Sequence, residues 1–465
     1  MGTRRAFLTQ VMGATVAVAA GATACSSSAD EAGSGSGSGA DHVKSATAIT
    51  KVYGDGQKFI AVALEYDSAI DTSKLSKSSF KVDARTVTKV YANTAAALAD
   101  QGRDGKYVIV ELSADDSGAL LWGNDSDNGG GSGSGSASAS SSASAGGGGG
   151  PKVGQKGGAK GADPAKGTVT GVGTVTTTGG STYQGGSVKL ATTKQVNPIV
   201  DDFKQLSYKD PKTGKTLPYN LFIPKDYDES RKYPLVLFMH DASVVSTVTT
   251  ATLVQGLGAV VWASPEDQAK RPAFVLAPQY PEVVVGDDYK PTAYFDTTVH
   301  LVQELTGKYS IDTDRVYSTG QSMGAMMTLG LNIKYPDVFG GSWVVAGQWP
   351  SAQAAPLAKK NLFVTVSQGD TKAYPGENAI MSVIEKAGTK VSRATWDGRS
   401  TAAQFTKDVD AITAKGTSVN YVTFEKGTTL TAESKKKFGT VEHNSTWPIA
   451  YTIEGIREWI FQQRK

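Results

Sequence analysis

The stretch VYSTGQSMGAMMTLGL, residues 316–331, constrains this chain more than any other. A run rich in β-type residues ends in Gly320-Gln321-Ser322-Met323-Gly324, and helix-forming residues follow without a break. Gly-x-Ser-x-Gly alone is a weak signal. Between a strand and a helix it describes a sharp turn that lifts a serine hydroxyl clear of the C-terminal edge of a sheet. The two glycines leave room for strand and helix to pack closely. The Met323 N–H, at the helix start, is then free to point at negative charge developing on a carbonyl oxygen. Ser322 is therefore read as a nucleophile, against the alternative of a glycine-rich packing turn.

Such a turn needs a parallel sheet beneath it, and the text from residue 201 supplies one. YPLVLFMHD is a continuous apolar run, as expected of a strand buried on both faces, and AFVLAPQY is another. GGSWVVAG, NLFVTVSQGD and VNYVTFEKG supply later strands. YFDTTVHLVQELTGKYS carries Val299, Val302 and Leu305 near helical spacing, and TIEGIREWIFQQ closes the chain as an amphipathic helix. PKTGKT reads as the turn of a hairpin. Strands alternating with helices imply a largely parallel sheet covered on both faces.

A serine nucleophile needs a base, and the base needs an acid to orient it. The chain has four histidines. His42 falls in an expected tether, His300 lies within a helical stretch, and His240 ends the strand PLVLFMHD. His443, in TVEHNSTW, is expected in a loop between the last strand and the final helix, and is the preferred base. Asp370 ends NLFVTVSQGD and is the preferred acid. Asp397, in RATWDG, is the runner-up, and Asp337 reads as a helix cap. The order Ser322, Asp370, His443 is that of the α/β hydrolases. The loop after PLVLFMHD should add a second oxyanion donor beside Met323. It reads His240-Asp241-Ala242-Ser243 where His-Gly-Gly is common, so Ala242 or Ser243 is the candidate.

The first half of the chain has a different texture. ATAITKVYGDG, KFIAVALEY, SFKVDARTVTKVYAN and KYVIVELS are short β-type runs with polar breaks, and only TAAALADQG hints at a helix. They predict a small all-β domain over residues 43–196. Gly/Ser-rich and then Lys/Gly/Ala-rich text at 124–167 cannot bury enough apolar surface to order itself. It is either a linker or, as preferred here, an insertion within the β domain, because the β text after it is too short to stand alone. The catalytic domain is expected over residues 197–465.

Residues 1–25 read as an export signal: Arg4-Arg5 precede Phe-Leu as in twin-arginine signals, and small residues lead to Cys25. Cys25 is then the lipidated first residue of the exported chain, and residues 26–42 are a flexible tether. The apolar stretch at 11–24 is too short for a comfortable membrane span. Cys25 is the only cysteine, which excludes an intramolecular disulfide, a cysteine nucleophile and a cysteine metal site. A net charge of +3 carries no field that would suggest nucleic acid.

With these residues placed, the segment from about residue 201 to 463 resembles bacterial α/β-hydrolase esterases of the polyhydroxybutyrate-depolymerase and feruloyl-esterase-like group. It is most similar to those with an N-terminal immunoglobulin-like domain. YPLVLFMHDA, LVQGLGAVVWASPEDQAK, FVLAPQY, TGQSMGAM, KYPDVFGGSWVVAGQW, GDTKAYPG and TWPIAYTIEGIREWIF carry the resemblance. It implies ester hydrolysis through an acyl-enzyme, with Ser322 as nucleophile, His443 as base and Asp370 as its orienting acid. It calls for no metal or organic cofactor, and for a small or polymer-linked ester as substrate. Trp262, Tyr280, Trp349 and Trp447 sit in the shared motifs and are expected either to line a substrate pocket or to pack in the core. The β domain is expected to serve packing or homo-oligomerisation. Two other functions stay open: a serine peptidase of the prolyl-oligopeptidase type, disfavoured by the lack of a propeller-like repeat, and an inactive surface binding protein.

Overall fold

The computed structural model describes residues 39–123, 151–431 and 441–465. Cys25, the export signal and most of the tether lie outside the described residues. Residues 37–465 form one compact unit.

The β module is built on a five-stranded sheet. Its strands are β1 (Val43–Tyr53), β2 (Gly56–Ile70), β3 (Val87–Asn93), β4 (Gly105–Leu112) and β5 (Lys194–Val196), in the order β5-β1-β2-β4-β3. All pairs are antiparallel except β5 on β1. A three-stranded sheet of Lys81–Val82, Thr168–Val172 and Gly186–Ala191 packs opposite, and Phe59, Leu64, Val108, Val110, Val169 and Val172 fill the space between them. Alternate residues along each strand face this core, as two stacked sheets require. The pairs that close the module join segments on both sides of residues 124–167. The expected helix at TAAALADQG is instead a loop, held by Asn93 Nδ2 to the Ala97 carbonyl at 2.8 Å and the Ala99 N–H to Tyr91 Oη at 2.9 Å.

Residues 151–167 were expected to lack structure, and the fold corrects this. They form a strap whose backbone pairs with the catalytic module at Gly154–Val283 and Val283–Gln155, at 2.9 and 2.8 Å. Ser246 Oγ donates to the Ala159 carbonyl, and the Asp163 N–H returns to the Leu121 carbonyl at 2.8 Å. A segment with little apolar surface can order when its backbone groups find partners on a neighbouring surface. The tether expectation also needs correction at its end. His42 bonds Asp67 Oδ2 at 2.8 Å and stacks on Tyr183 at 3.6 Å, so it belongs to the β module.

The catalytic module is a nine-stranded sheet. In chain order its strands are β6 (Lys204–Lys209), β7 (Thr216–Phe222), β8 (Tyr233–Met239), β9 (Phe274–Pro278), β10 (Ile311–Gln321), β11 (Gly341–Val345), β12 (Leu362–Ser367), β13 (Val391–Trp396) and β14 (Val419–Phe424). Spatially they run β6-β7-β9-β8-β10-β11-β12-β14-β13. β6 and β7 form an antiparallel hairpin on one edge, and the other strands are parallel. Every residue of β8, β11, β12 and β14 is buried, which accounts for their unbroken apolar text. The flanking helices used below are α1 (Tyr294–Lys308), α2 (Met323–Lys334), α3 (Ala373–Lys386), α4 (Ala402–Thr413), α5 (Glu442–Ala450) and α6 (Glu454–Phe461). One face of the sheet packs on α1, α2 and α3 through residues such as Leu237, Val299, Leu329 and Ile380. The other packs on α4 and α6 through Phe238, Trp343, Phe405 and Ile456. This is an α/β hydrolase carrying a small immunoglobulin-like module. The two modules touch at the β1–β2 turn, where a Cβ on Gly54 would lie 2.7 Å from Pro448 Cβ in α5.

Candidate active site

β10 sits at the centre of the sheet, and its C-terminal end carries the serine. Ser322 adopts φ 51° and ψ −115°, a backbone state that costs a non-glycine residue about 1–3 kcal/mol. The end of β8, paired in parallel beside the turn, explains the two glycines. A Cβ on Gly324 would stand 1.9 Å from the Met239 carbonyl oxygen, and one on Gly320 would stand 2.6 Å from the same atom. Neither position admits a side chain. The Ser322 N–H bonds the Val345 carbonyl at 3.1 Å and the Met326 N–H bonds the Ser322 carbonyl at 2.9 Å, so neighbouring elements hold the strained turn. Met323, the first residue of α2, has its N–H unused by the helix.

Three elements remote in sequence converge on Ser322. Its Oγ lies 2.8 Å from His443 Nε2, and His443 Nδ1 lies 2.5 Å from Asp370 Oδ2. Asp370 follows β12, two strands from β10. Its other oxygen, Oδ1, accepts the N–H groups of Lys372 and Ala373 at 3.0 and 2.8 Å. Burial pushes the Asp370 carboxyl up, but the His443 contact and these two N–H groups outweigh it and hold the group below the usual carboxylate range. It is thus an anion facing the imidazole. His443 was expected in a loop and stands instead in the first turn of α5. The runner-up acid, Asp397, follows the edge strand β13 and pairs with its neighbour Arg399 at 2.9 Å. His240 is fully buried and neutral: its Nε2 accepts the Tyr280 N–H at 3.0 Å and its Nδ1 faces the Asp241 carbonyl at 2.7 Å. Burial lowers its pKa further. His300 pairs with Asp210 at 2.7 Å within the catalytic module, away from the serine turn.

The loop after β8 explains the unusual Asp241. Its Oδ1 accepts the Ser243 N–H at 2.9 Å, capping a single 3-10 turn at Ala242–Val244. Its Oδ2 accepts Gln321 Nε2 at 2.9 Å, which ties this loop to the residue before the nucleophile. The Ser243 N–H is therefore engaged, and Ala242 is the better of the two expected donors. A carbonyl oxygen between the N–H groups of Met323 and Ala242 would meet a helix start and a capped turn, both suited to stabilise an oxyanion.

The four expected pocket aromatics divide. Trp262 is fully buried against Trp343 and Phe461, with Nε1 on the Gly258 carbonyl at 2.9 Å. Tyr280 is fully buried with its hydroxyl 3.0 Å from Thr298. Both are core residues, Tyr280 in the cluster on one face of the sheet and Trp262 in the cluster on the other. Trp447, one turn after His443, sets its ring edge-on to the imidazole at 5.3 Å. Trp349 packs between Tyr289 and Phe295 and borders a groove of about 280 Å³, with Thr371, Lys372 and Pro375 on the far side. Thr371 directly follows Asp370, and Lys372 spans to Asp287 at 2.7 Å.

Several residues escaped the sequence reading. Glu442 precedes His443 and bonds the end of β12. Gln321 links the nucleophile turn to Asp241 and to Gln255 at 3.1 Å. Glu377, in α3, is buried with one oxygen on the Gly347 N–H at 3.0 Å and the other without a partner. Burial, with a smaller push from Asp370, raises its pKa well above normal and so favours its neutral form. A charged residue inside an apolar helical face was the only available sign of Glu377. Nothing in the spacing marks the other two.

Comparison with known proteins agrees with this architecture. Residues 45–184 match the family described as the esterase Ig-like N-terminal domain, and residues 211–434 match the Esterase family. The crystal structure of a thermostable esterase covers 91% of this chain and 100% of its own, with a TM-score of 0.70 and 27% identity. The chain is 33% identical over 102 residues to poly(3-hydroxyalkanoate) depolymerase C of Paucimonas lemoignei, covering 22% of this chain and 24% of that one. It is 28% identical over 178 residues to poly(3-hydroxybutyrate) depolymerase of Ralstonia pickettii, covering 36% and 35%. The chain thus spans only a quarter to a third of the length of these curated relatives. On these matches and on its two-module architecture, the chain is an α/β hydrolase with an N-terminal immunoglobulin-like module, similar to the esterases that carry one.

Proposed function

We propose that this protein is a serine esterase that hydrolyses carboxylic esters through a covalent acyl-enzyme. The carrying observation is the unbroken contact from Ser322 Oγ to His443 Nε2 and from His443 Nδ1 to Asp370 Oδ2, at 2.8 and 2.5 Å. Ser322 Oγ attacks the ester carbonyl while its proton moves to His443 Nε2. The N–H groups of Met323 and Ala242 receive the oxyanion. The tetrahedral intermediate collapses, the C–O bond breaks, and the alcohol leaves with the proton from His443. Water then attacks the acyl-enzyme with His443 again as base, which releases the acid and restores Ser322. Asp370 keeps the Nδ1–H tautomer facing itself, so that Nε2 faces the serine as an acceptor.

The groove beside Trp349 and Thr371 is the proposed entry for the ester, either a small molecule or a unit of a polymer. Export behind residues 1–25, anchoring through Cys25 and homo-oligomerisation through the β module belong to the same proposal. The supports are the Arg4-Arg5 signal text for export and the place of β3 at the edge of its sheet for assembly.

The test is hydrolysis of p-nitrophenyl acetate and butyrate by the full chain beside Ser322→Ala. Turnover by the parent and none by the variant supports the esterase. Equal turnover by both would remove Ser322 as the nucleophile, and no turnover by either, with Ser322 unlabelled by a fluorophosphonate, would leave a binding protein on a hydrolase fold.

A further inference from the structure

We infer that Glu442 is a positioning residue, which sets the register between the helix carrying His443 and the loop carrying Asp370. The inference rests on the esterase reading only for its kinetic readout. Glu442 Oε2 accepts Ser367 Oγ at 2.5 Å and the Gly427 N–H at 2.9 Å. Ser367 ends β12, three residues before Asp370, and its Oγ in turn accepts the Gly369 N–H at 3.3 Å. Gly427 lies in the loop after β14. One carboxylate oxygen therefore joins α5 to the ends of two strands.

The packing makes this joint tight. A Cβ on Gly369 would stand 2.0 Å from Glu442 Cδ, so the loop backbone rests directly on the carboxylate. Glu442 is 9% exposed and Ser367 is fully buried, so water does not compete for these bonds. A buried carboxylate with two donors on one oxygen is strongly directional, because losing either donor leaves uncompensated charge. The next residue along the helix is His443, whose Nδ1 meets Asp370 on the same loop. The helix thus meets the Asp370 loop twice, once through each of two adjacent residues. The first contact is structural and the second is chemical. Thr429 Oγ1 to Ser445 Oγ, at 2.8 Å, adds a weaker tie from the loop after β14. Removing Glu442 frees α5 to shift along β12 while leaving Ser322, His443 and Asp370 present. A displacement of about 1 Å is enough to cost about a hundredfold in rate.

The experiment compares the parent, Glu442→Ala, Glu442→Gln, Ser367→Ala and Ser322→Ala. It reads kcat and KM on p-nitrophenyl butyrate, Tm, and the downfield proton resonance of the His443–Asp370 hydrogen bond. Glu442→Ala should lose about a hundredfold in kcat with KM changed little, and should lose the resonance. Glu442→Gln keeps an oxygen in the Oε2 position and should recover to within about fivefold, resonance included. If Glu442→Ala does not fold, Ser367→Ala decides, with about a tenfold loss and a weakened resonance expected. A lower Tm with kcat and resonance unchanged in the variant that folds would overturn the inference. A parent without the resonance would also overturn it. A parent that shows the resonance but hydrolyses no ester would refute the esterase reading instead, and the resonance in the variants would then decide the role of Glu442. Ser322→Ala should keep the resonance and lose all turnover.

Discussion

Asp370→Asn tests the proposed chemistry most sharply, because the structure dictates which way the new amide must face. Oδ1 of Asp370 accepts two backbone N–H groups, from Lys372 and Ala373. An amide NH2 in that position would set donor against donor. It would forfeit two hydrogen bonds of about 1 kcal/mol each and add a desolvation penalty of about 1–3 kcal/mol. The amide oxygen therefore stays at Oδ1 and the NH2 turns to His443. His443 Nδ1 must then accept, its proton moves to Nε2, and Nε2 can no longer take the proton of Ser322. The preference of about 3–5 kcal/mol leaves the productive tautomer at about one part in two hundred to one in five thousand. Loss of the anion that stabilises the imidazolium adds to this, and comparable changes in other serine triads reach about 10⁴-fold in kcat. The assay is kcat on p-nitrophenyl butyrate at pH 7, with circular dichroism and Tm to show that the fold is intact. The expected result is a loss of about 10³–10⁴-fold with KM nearly unchanged. Asp397→Asn, just after the edge strand β13, should change nothing. A folded Asp370→Asn enzyme within tenfold of the parent would refute the reasoning.

Other changes probe the frame around the site. Gly324→Ala forces a methyl group toward the Met239 carbonyl, so it should abolish turnover and lower Tm, whereas Gly307→Ala, with open space around it, should do neither; parallel melts and rates decide. Burial raises the pKa of Glu377 in the folded chain. Its contribution is fully present below the unfolded value of about 4.3 and is lost as pH rises toward the raised folded value. Glu377→Gln should therefore match the parent near pH 4 and exceed it in Tm at pH 8, and parallel pH–Tm curves would contradict this. Arg457 makes a buried bidentate pair with Asp267, at 2.8 and 3.0 Å. Arg457→Met should lower stability by about 3 kcal/mol in urea unfolding, with Arg271 on the same carboxylate limiting the loss.

How far the sequence reaches depends on whether a feature is local. The nucleophile turn was legible because strand, glycine, serine, glycine and helix are contiguous, and the steric demand at Gly324 shows in the residue type. The acid was legible because it directly follows a buried strand. His443 was legible by its place near the end of the chain, but its helix was not. Asn444, Ser445 and Thr446 read as loop, and Pro448 reads as a break in the middle of a nine-residue helix. Trp262 and Tyr280 stayed undecided in the sequence because a large aromatic beside a motif looks the same there whether it faces a groove or the core.

The sequence by itself determined the fold class and the modular plan, and it singled out the three residues that the structure brings into contact, since each rests on local periodicity, on a contiguous motif or on chain order. Tertiary structure alone separated the two expected oxyanion donors, because the Ser243 N–H is consumed by a side chain two residues earlier. It alone ordered residues 151–167, whose few apolar atoms cannot drive collapse but whose backbone finds partners on the catalytic module. It alone gave Glu442 its place between two strand ends. Hydrogen-bond partners far apart along the chain leave no periodic trace in sequence. They exist only once the sheet has brought its strand ends to a common edge.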